Sequence, residues 1–302
     1  MPNILLTGSS GFIGKNLKDF TEISRVVART KVNDKECYII KSIDADTNWD
    51  GAFNNIDCVI HLAGLAHSNS FTDDDYQNVN TLGTLRLARE AVKAGVKRFV
   101  FISSIGVNGL STDDKPFCST DKTYPHNAYA LSKLNAEQGL FQIAKDTGLE
   151  VVVVRPTLVY GLHAPGNFGL LTRIVDKLPM LPFGLVRNKR SFISVQNLTD
   201  LLLTCAKHPN AAGHTFLASD GKPVSTKEFT CAIAKGLNKS IYQLPVPTSI
   251  MRFGAKMIGK PLMAEQLLGN LDVDSSNAFD VMGWKPPYTM EESMNLLSKE
   301  IK

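Results

Sequence analysis

Tyr129-Ala130-Leu131-Ser132-Lys133 places a phenol and an ammonium group four residues apart. On a helix these two side chains share one face, one turn apart. A phenol, with an ordinary pKa of about 10, is a weak base at neutral pH. A nearby ammonium favours the phenolate, which would make Tyr129 an acid/base for an alcohol–carbonyl pair. Upstream, the apolar run Phe99-Val100-Phe101-Ile102 ends in Ser103-Ser104. If that run is a strand of a parallel sheet, Ser104 stands at the carboxyl edge, where ligands bind in open α/β folds. Its hydroxyl can hydrogen-bond a substrate oxygen.

A second constellation lies near the amino terminus. Thr7-Gly8-Ser9-Ser10-Gly11-Phe12-Ile13-Gly14 follows the first apolar run and opens a helical pattern. Strand, glycine-rich turn and helix together present backbone amides to a pyrophosphate. The spacing is GxxGxxG rather than GxGxxG. Gly8, Ser10, Gly11, Phe12, Ile13 and Gly14 are therefore candidate contacts for a dinucleotide. An NAD-binding domain usually places a carboxylate on the adenosine ribose about twenty residues further on. Here Val27-Ala28-Arg29-Thr30-Lys31 carries two cations instead. Arg29 can grip a 2′-phosphate and stack on adenine, which points to NADP, with NAD as the alternative. Asp44, at the end of residues 39–43, is a candidate for the adenine amine.

These groups need a scaffold that brings them to one edge. Short apolar runs at 3–6, 25–28, 58–62, 98–102 and 150–154 alternate with helical patterns, of which 84–94 is the clearest. Continuous apolar strands alternating with helices predict a parallel sheet covered on both faces. The expected fold is α/β, a Rossmann-type doubly wound parallel sheet with a smaller C-terminal substrate-binding domain. Breaker-rich segments follow Pro156, at 161–167 and 178–188. Two later apolar runs, 192–195 and 215–218, are expected to return to the main sheet. The division predicted is a cofactor domain over 1–160, joined by 188–219, and a cap over 161–187 and 220–302. Residues 244–257 mix Pro, Met and Phe, and read as a packed helix or an apolar lid over the substrate.

Composition narrows the partners. The chain has 302 residues, 43% hydrophobic and 21% charged, with a net charge of +4. That balance excludes disorder and gives no footprint for nucleic acid. The five cysteines (37, 58, 118, 205 and 231) include no CxxC, so neither a disulfide framework nor a cysteine zinc site is expected. No metal is expected. No window reaches the roughly 18 apolar residues of a membrane span, and a cytoplasmic setting fits free cysteines best. Cys205 and Cys231 fall in apolar helical patterns and are expected in the core, with Trp49 and Trp284 as packing anchors. His67 and His126 read equally as cleft residues or as ordinary loop histidines.

Together Gly8/Gly11/Gly14, His61-Leu62-Ala63-Gly64, Asn80, Ser103-Ser104 and Tyr129/Lys133 resemble an extended short-chain dehydrogenase/reductase. The subgroup resembled is the NAD-dependent epimerase/dehydratase family acting on nucleotide sugars. Arg155-Pro156, Val159-Tyr160-Gly161, Arg190-Ser191-Phe192-Ile193-Ser194-Val195 and Gly283-Trp284-Lys285-Pro286 extend the likeness over nearly the whole chain. The resemblance implies an enzyme with Tyr129 as acid/base and Lys133 on the nicotinamide ribose, depressing the Tyr129 pKa. It also implies Ser104 on the reacting oxygen and Ala63 and Gly64 along the adenosine and pyrophosphate path. Asn80 is implied as a backbone anchor and His61 as a buried strand-end residue. Asn167 and Arg190 are implied for the diphosphate of a UDP-sugar, and a homodimer built on the Tyr/Lys helix and residues 84–94 is implied for the assembly.

Departures from the family pattern narrow the reaction. UDP-galactose 4-epimerases normally carry an acidic residue after the second strand, and read Arg-Tyr-Phe-Asn where this chain has Arg155-Pro156-Thr157-Leu158. The dehydratases place an Asp-Glu pair after the active-site Thr, where this chain has Ser103-Ser104-Ile105. The expectation is a 4-ketoreductase of a UDP-2-acetamido-4-keto-6-deoxyhexose in bacterial polysaccharide synthesis. The alternative is a UDP-sugar 4-epimerase with tightly bound NAD. A non-sugar carbonyl reductase and a non-enzymatic dinucleotide sensor stand further off.

Overall fold

The structure is a computed structural model that describes residues 1–32, 35–66 and 70–300. His67 lies outside the described residues. The first half alternates strands and helices: β1 (Ile4–Thr7), α1 (Phe12–Leu17), β2 (Ile23–Ala28), β3 (Glu36–Ile39), β4 (Cys58–His61), α2 (Asp73–Tyr76), α3 (Thr84–Lys93), β5 (Arg98–Ile102), α4 (Ala128–Thr147) and β6 (Glu150–Pro156). Between α2 and α3 the chain runs through a π-helical stretch, Gln77–Gly83. The helix is thus longer than residues 84–94 suggested. It begins at a Thr72/Asp75 capping box that the apolar period does not reveal.

The second half holds β7 (Leu158–Tyr160), α5 (Gly166–Lys177), β8 (Met180–Leu181), β9 (Phe192–Ser194), α6 (Val195–Lys207) and β10 (Thr215–Ala218). After these come α7 (Thr226–Gly236), β11 (Tyr242–Gln243), α8 (Thr248–Met257), α9 (Pro261–Leu268), α10 (Asn277–Met282) and α11 (Met290–Met294). Seven strands form one sheet in the order β10-β6-β5-β4-β1-β2-β3, every pair parallel. This is the expected doubly wound sheet.

Alternation along the strands assigns each side chain to a face. Ile4, Leu6, Ile60, Val100 and Val152 join Leu198, Leu201 and Leu202 of α6 in one cluster. Leu5, Val59, Phe99, Phe101 and Val151 join Leu87 and Ala91 of α3 and Leu140 of α4 in another. A third cluster, around Tyr160, Phe168, Phe192, Phe229 and Ile233, sits beyond the carboxyl edge. One expectation fails here. Of the two later runs only β10 joins the main sheet; β9 pairs with β7 in a separate ladder. A three-residue strand that turns straight into α6 at Ser194 is too short to extend a sheet whose next place is taken by β10. Cys231 also departs from expectation: it is exposed, because α7 turns Phe229, Ile233 and Ala234 inward, whereas Cys205 is buried. Trp49 and Trp284 are buried as expected.

Candidate active site

The sheet reverses its winding between β1 and β4, which opens a crevice at their carboxyl ends. The glycine turn leaves β1 there with Gly8 at φ +72°. A Cβ on Gly8 would come within 2.7 Å of the Ala63 nitrogen, and one on Gly14 within 2.1 Å of the Gly8 carbonyl. Only glycine lets the turn, the helix and the β4 loop approach so closely. Gly11 caps α1 without a side-chain hydrogen bond, so the leading amides are left for a ligand. The buried Ser9 hydroxyl finds no protein partner. These features fit a dinucleotide pyrophosphate. Phe12 and Ile13 form the first turn of α1, and Ser10 is exposed on the loop. Arg29 and Lys31 stand exposed past the end of β2. The Asp44 carboxylate is held within its own loop by Ser42, the Asp46 amide and Thr47, which lower its pKa.

His61 ends β4 and is fully buried. Its Nδ1 lies 2.7 Å from Thr7 Oγ1 and its Nε2 2.9 Å from Thr84 Oγ1. Thr84 gives its proton to the Asn80 carbonyl, so it accepts from Nε2–H; Thr7 then donates to Nδ1 while accepting from the Ala63 amide. Burial pushes the imidazole pKa down to about 3, and the charge on Lys133 adds to the effect. His61 is therefore a neutral strut between β1, β4 and α3. Asn80, projected from the π-helical stretch, accepts from the Leu65 amide at 2.7 Å and donates to the Leu65 carbonyl and Ser132 Oγ. It holds the loop bearing Gly64, where a Cβ would meet Asn80 Oδ1 at 2.8 Å.

Tyr129 and Lys133 lie one turn apart on α4, over the end of β5. The Ser104 hydroxyl hydrogen-bonds Tyr129 and accepts from the Gly106 amide. Lys133 Nζ donates to the Ile102 carbonyl at 3.0 Å and sits 4.7 Å from the Phe101 ring centroid. Burial raises the Tyr129 pKa to about 12, opposed by the Ser104 hydrogen bond and reinforced by Tyr76. This reverses the lowering expected from Lys133. The ammonium points at the β5 carbonyl, and burial dominates the phenol. Burial likewise lowers the Lys133 pKa to about 8, with Glu137 holding it up.

Glu137 continues the same face, four residues past Lys133, and was not singled out in the sequence. It forms a buried pair with Arg155 of β6, Nη2 to Oε2 at 2.5 Å and Nε to Oε1 at 3.0 Å, and takes a hydrogen bond from Ser103. Arg155 also donates to Asn108 Oδ1. The spacing Tyr129, Lys133, Glu137 was the available signal.

Ser104 and Tyr129 open into a cavity of about 390 Å³ between the sheet edge and the third cluster. Asn167 and Arg190 line the same cavity, as does the exposed His126. Asn167 reaches Gln266 at 3.3 Å, and Arg190 donates to the Gly269 carbonyl. Burial lowers the guanidinium pKa to about 10, against the charge on Glu265. The structure therefore gathers Ser104, Tyr129, Asn167 and Arg190 at one void, with the glycine turn in the neighbouring crevice. Thr157, Thr226 and Gln266 add to its polar lining. They come from three separate segments, and no local pattern announces them. The Leu170, Phe168, Phe229 and Leu267 walls make most of the lining apolar.

A doubly wound sheet with a Gly8/Gly11/Gly14 turn and a Ser104–Tyr129–Lys133 group defines an extended short-chain dehydrogenase/reductase, an enzyme class that uses NAD(P). The model of the NAD dependent epimerase/dehydratase family matches residues 4–218, and the chain belongs to that family. It is 43% identical to the UDP-glucose 4-epimerase of Vibrio cholerae, over 96% of this chain and 92% of that protein. Among solved structures it is similar to the UDP-N-acetylglucosamine 4-epimerase of Bacillus cereus (TM-score 0.79, 18% identity, 100% of this chain and 96% of that one). It is similar also to RMD from Pseudomonas aeruginosa complexed with NADPH (TM-score 0.75, 22% identity, 99% of both chains).

Proposed function

We propose that the protein is a UDP-sugar 4-epimerase, in place of the 4-ketoreductase that the sequence suggested. The observation that carries this is the 43% identity to a UDP-glucose 4-epimerase along almost the full length of both chains. In this reading residues 1–160 and 188–219 form the cofactor floor, and 161–187 with 220–302 form the substrate cap. Arg190 and Asn167 hold the sugar nucleotide's diphosphate, and the apolar walls leave the hexose room to turn.

Ser104 orients the 4-hydroxyl, and Tyr129 takes its proton as C4 is oxidised, then returns it to the opposite configuration. Lys133 supports the negative charge that forms on the phenol. When bound, the oxidised nicotinamide accepts and returns a hydride and adds a positive charge that favours the phenolate. Arg29 supports NADP, and NAD remains the alternative. Exposed Leu131 on α4 and Leu82 just before α3 support a homodimer through these helices.

The test is to mix purified protein with UDP-glucose or UDP-GlcNAc, without added reductant, and follow the galacto isomers by NMR. Interconversion is expected. If neither isomer forms, yet NADPH is consumed with a UDP-linked 4-keto-6-deoxy-N-acetylhexosamine, the reductase reading replaces this one.

A further inference from the structure

Helix α8 meets the packed-helix expectation for residues 244–257 along one edge only, and the lid expectation not at all. None of its residues is buried, and none lines the cavity. Met251 and Ala255 lean on the third cluster. On the opposite side Ile250, Phe253 and Met257 recur at spacings of three and four, which stacks them on one face. They are 59%, 66% and 72% exposed. Ile258 and Leu262, at 66% and 65%, extend the strip to α9. There it meets Met263, which is exposed and also lines the cavity. Leu170 on α5 is likewise both exposed and a cavity residue. The apolar strip thus runs to the mouth of the active site.

From Phe229 through Ala264 the sequence contains no Asp or Glu, but carries Lys235, Lys239, Arg252, Lys256 and Lys260. Along this stretch of sequence every charge is positive, although Lys235 pairs with Glu291 and Lys239 with Asp176, which leaves Lys256 and Lys260 as the cations outside these pairs beside Arg252. Arg252 and Lys256 sit four apart along the flank of the open face, and Lys260 follows at the start of α9; all three are exposed. Arg252 pairs with Glu265. A two-fold partner copy would set these cations near their own equivalents. An anionic surface with an apolar interior complements both features: the aliphatic and aromatic tips enter the apolar layer, and the lysines reach the phosphates.

We propose that α8 and the start of α9 dock the enzyme on an anionic phospholipid bilayer, with the mouth of the active site turned toward the membrane surface. The helix lies in the interface and does not cross it; among the described residues no helix is long and apolar enough to span.

The test is flotation of the full chain with vesicles of phosphatidylcholine containing about one quarter phosphatidylglycerol, beside vesicles of phosphatidylcholine alone. Binding is expected to the anionic vesicles, weakened by high salt. It should fall about tenfold in Phe253→Ser/Met257→Ser, because two tips leave the apolar layer, and in Lys256→Glu/Lys260→Glu, because the attraction reverses. Circular dichroism and epimerase turnover with soluble substrate should be unchanged in both variants. Wild-type protein that stays with the soluble fraction, or variants that float as well as wild type, would overturn the proposal. So would sedimentation showing that Phe253→Ser/Met257→Ser splits a dimer, since the strip is then a contact between copies.

Discussion

Lys133 shows how a candidate catalytic group is held against its own preference. Its ammonium is buried, and its folded pKa of about 8 lies below the ordinary 10.5. Below pH 8 both folded and unfolded chains carry the proton, so the full cost of burying the charge is present. As pH rises through 8 the folded state releases the proton first, and that cost fades. Lys133→Met should therefore be more stable at pH 7, by on the order of 1–3 kcal/mol. Its turnover should drop by at least about a hundredfold. Wild-type kcat/KM should fall as pH rises through about 8. A variant that is both inactive and markedly less stable would show that the lysine's role is packing.

His61 gives the opposite sign. Its folded pKa of about 3 lies below the ordinary 6.5, so between those values the unfolded chain binds a proton that the folded one refuses. Stability is lost as pH falls through that window, at up to about 1.4 kcal/mol per pH unit. His61→Asn should be less stable at neutral pH, because the shorter side chain gives up one of the two buried hydrogen bonds to Thr7 and Thr84. The gap from wild type should narrow from pH 7 to pH 5 in urea unfolding. A constant gap would mean that the imidazole is charged in the fold. The placing of Tyr129 and Lys133 one turn apart on one helix was legible in the sequence because an i, i+4 spacing is local. The raised pKa of Tyr129 was not, because its burial and the charge of Tyr76 come from segments far off in the chain.

At the scale of elements, the turn between β1 and α1 is the most constrained piece of backbone. The Gly14→Ala methyl would press on the Gly8 carbonyl, a backbone atom held in the turn by the Gly11 amide. We expect a loss of about 1–3 kcal/mol, with NAD(P) no longer retained, measured by thermal melting and cofactor titration. Gly254→Ala in α8 is the contrast. Nothing lies within 4 Å of the added methyl, and the higher helix propensity of Ala should stabilise by up to about 1 kcal/mol. Equal losses in both would remove the steric argument. Strands were readable wherever both faces are buried, since β1, β4, β5 and β6 are continuous apolar runs. The pairing of β9 with β7 was not, because a three-residue strand carries no register information of its own.

At the scale of the molecule, the candidate site has two shores. Ser104 and Tyr129 belong to the sheet side, while Asn167 and Arg190 belong to the segments around the third cluster. A sugar nucleotide joining them should act as a clamp. Saturating UDP should raise the melting temperature of the wild type, equivalent to about 2.7 kcal/mol at one hundred times Kd. Arg190→Met should lose most of that shift while keeping the shift produced by NADPH, which reports the intact floor. Loss of both shifts would mean that Arg190 holds the fold rather than the diphosphate. The sequence resemblance named both residues. Their shared cavity brings Asn167 on α5 together with Arg190 just before β9, a juxtaposition that no local motif encodes.

The wide-turned stretch from Gln77 to Gly83 makes this site answerable to chain length as well as to residue type. A π-helical turn holds about one residue more than the same arc of α-helix. Deleting a single residue there would let α2 run straight into α3 with every neighbouring side chain intact. Asn80 would swing about 100° around the axis, away from Leu65 and Ser132. The loop bearing Gly64 would then lose its anchor although no contact residue had been altered. Along this segment a one-residue deletion is expected to release the loop as surely as removal of the Asn80 side chain itself.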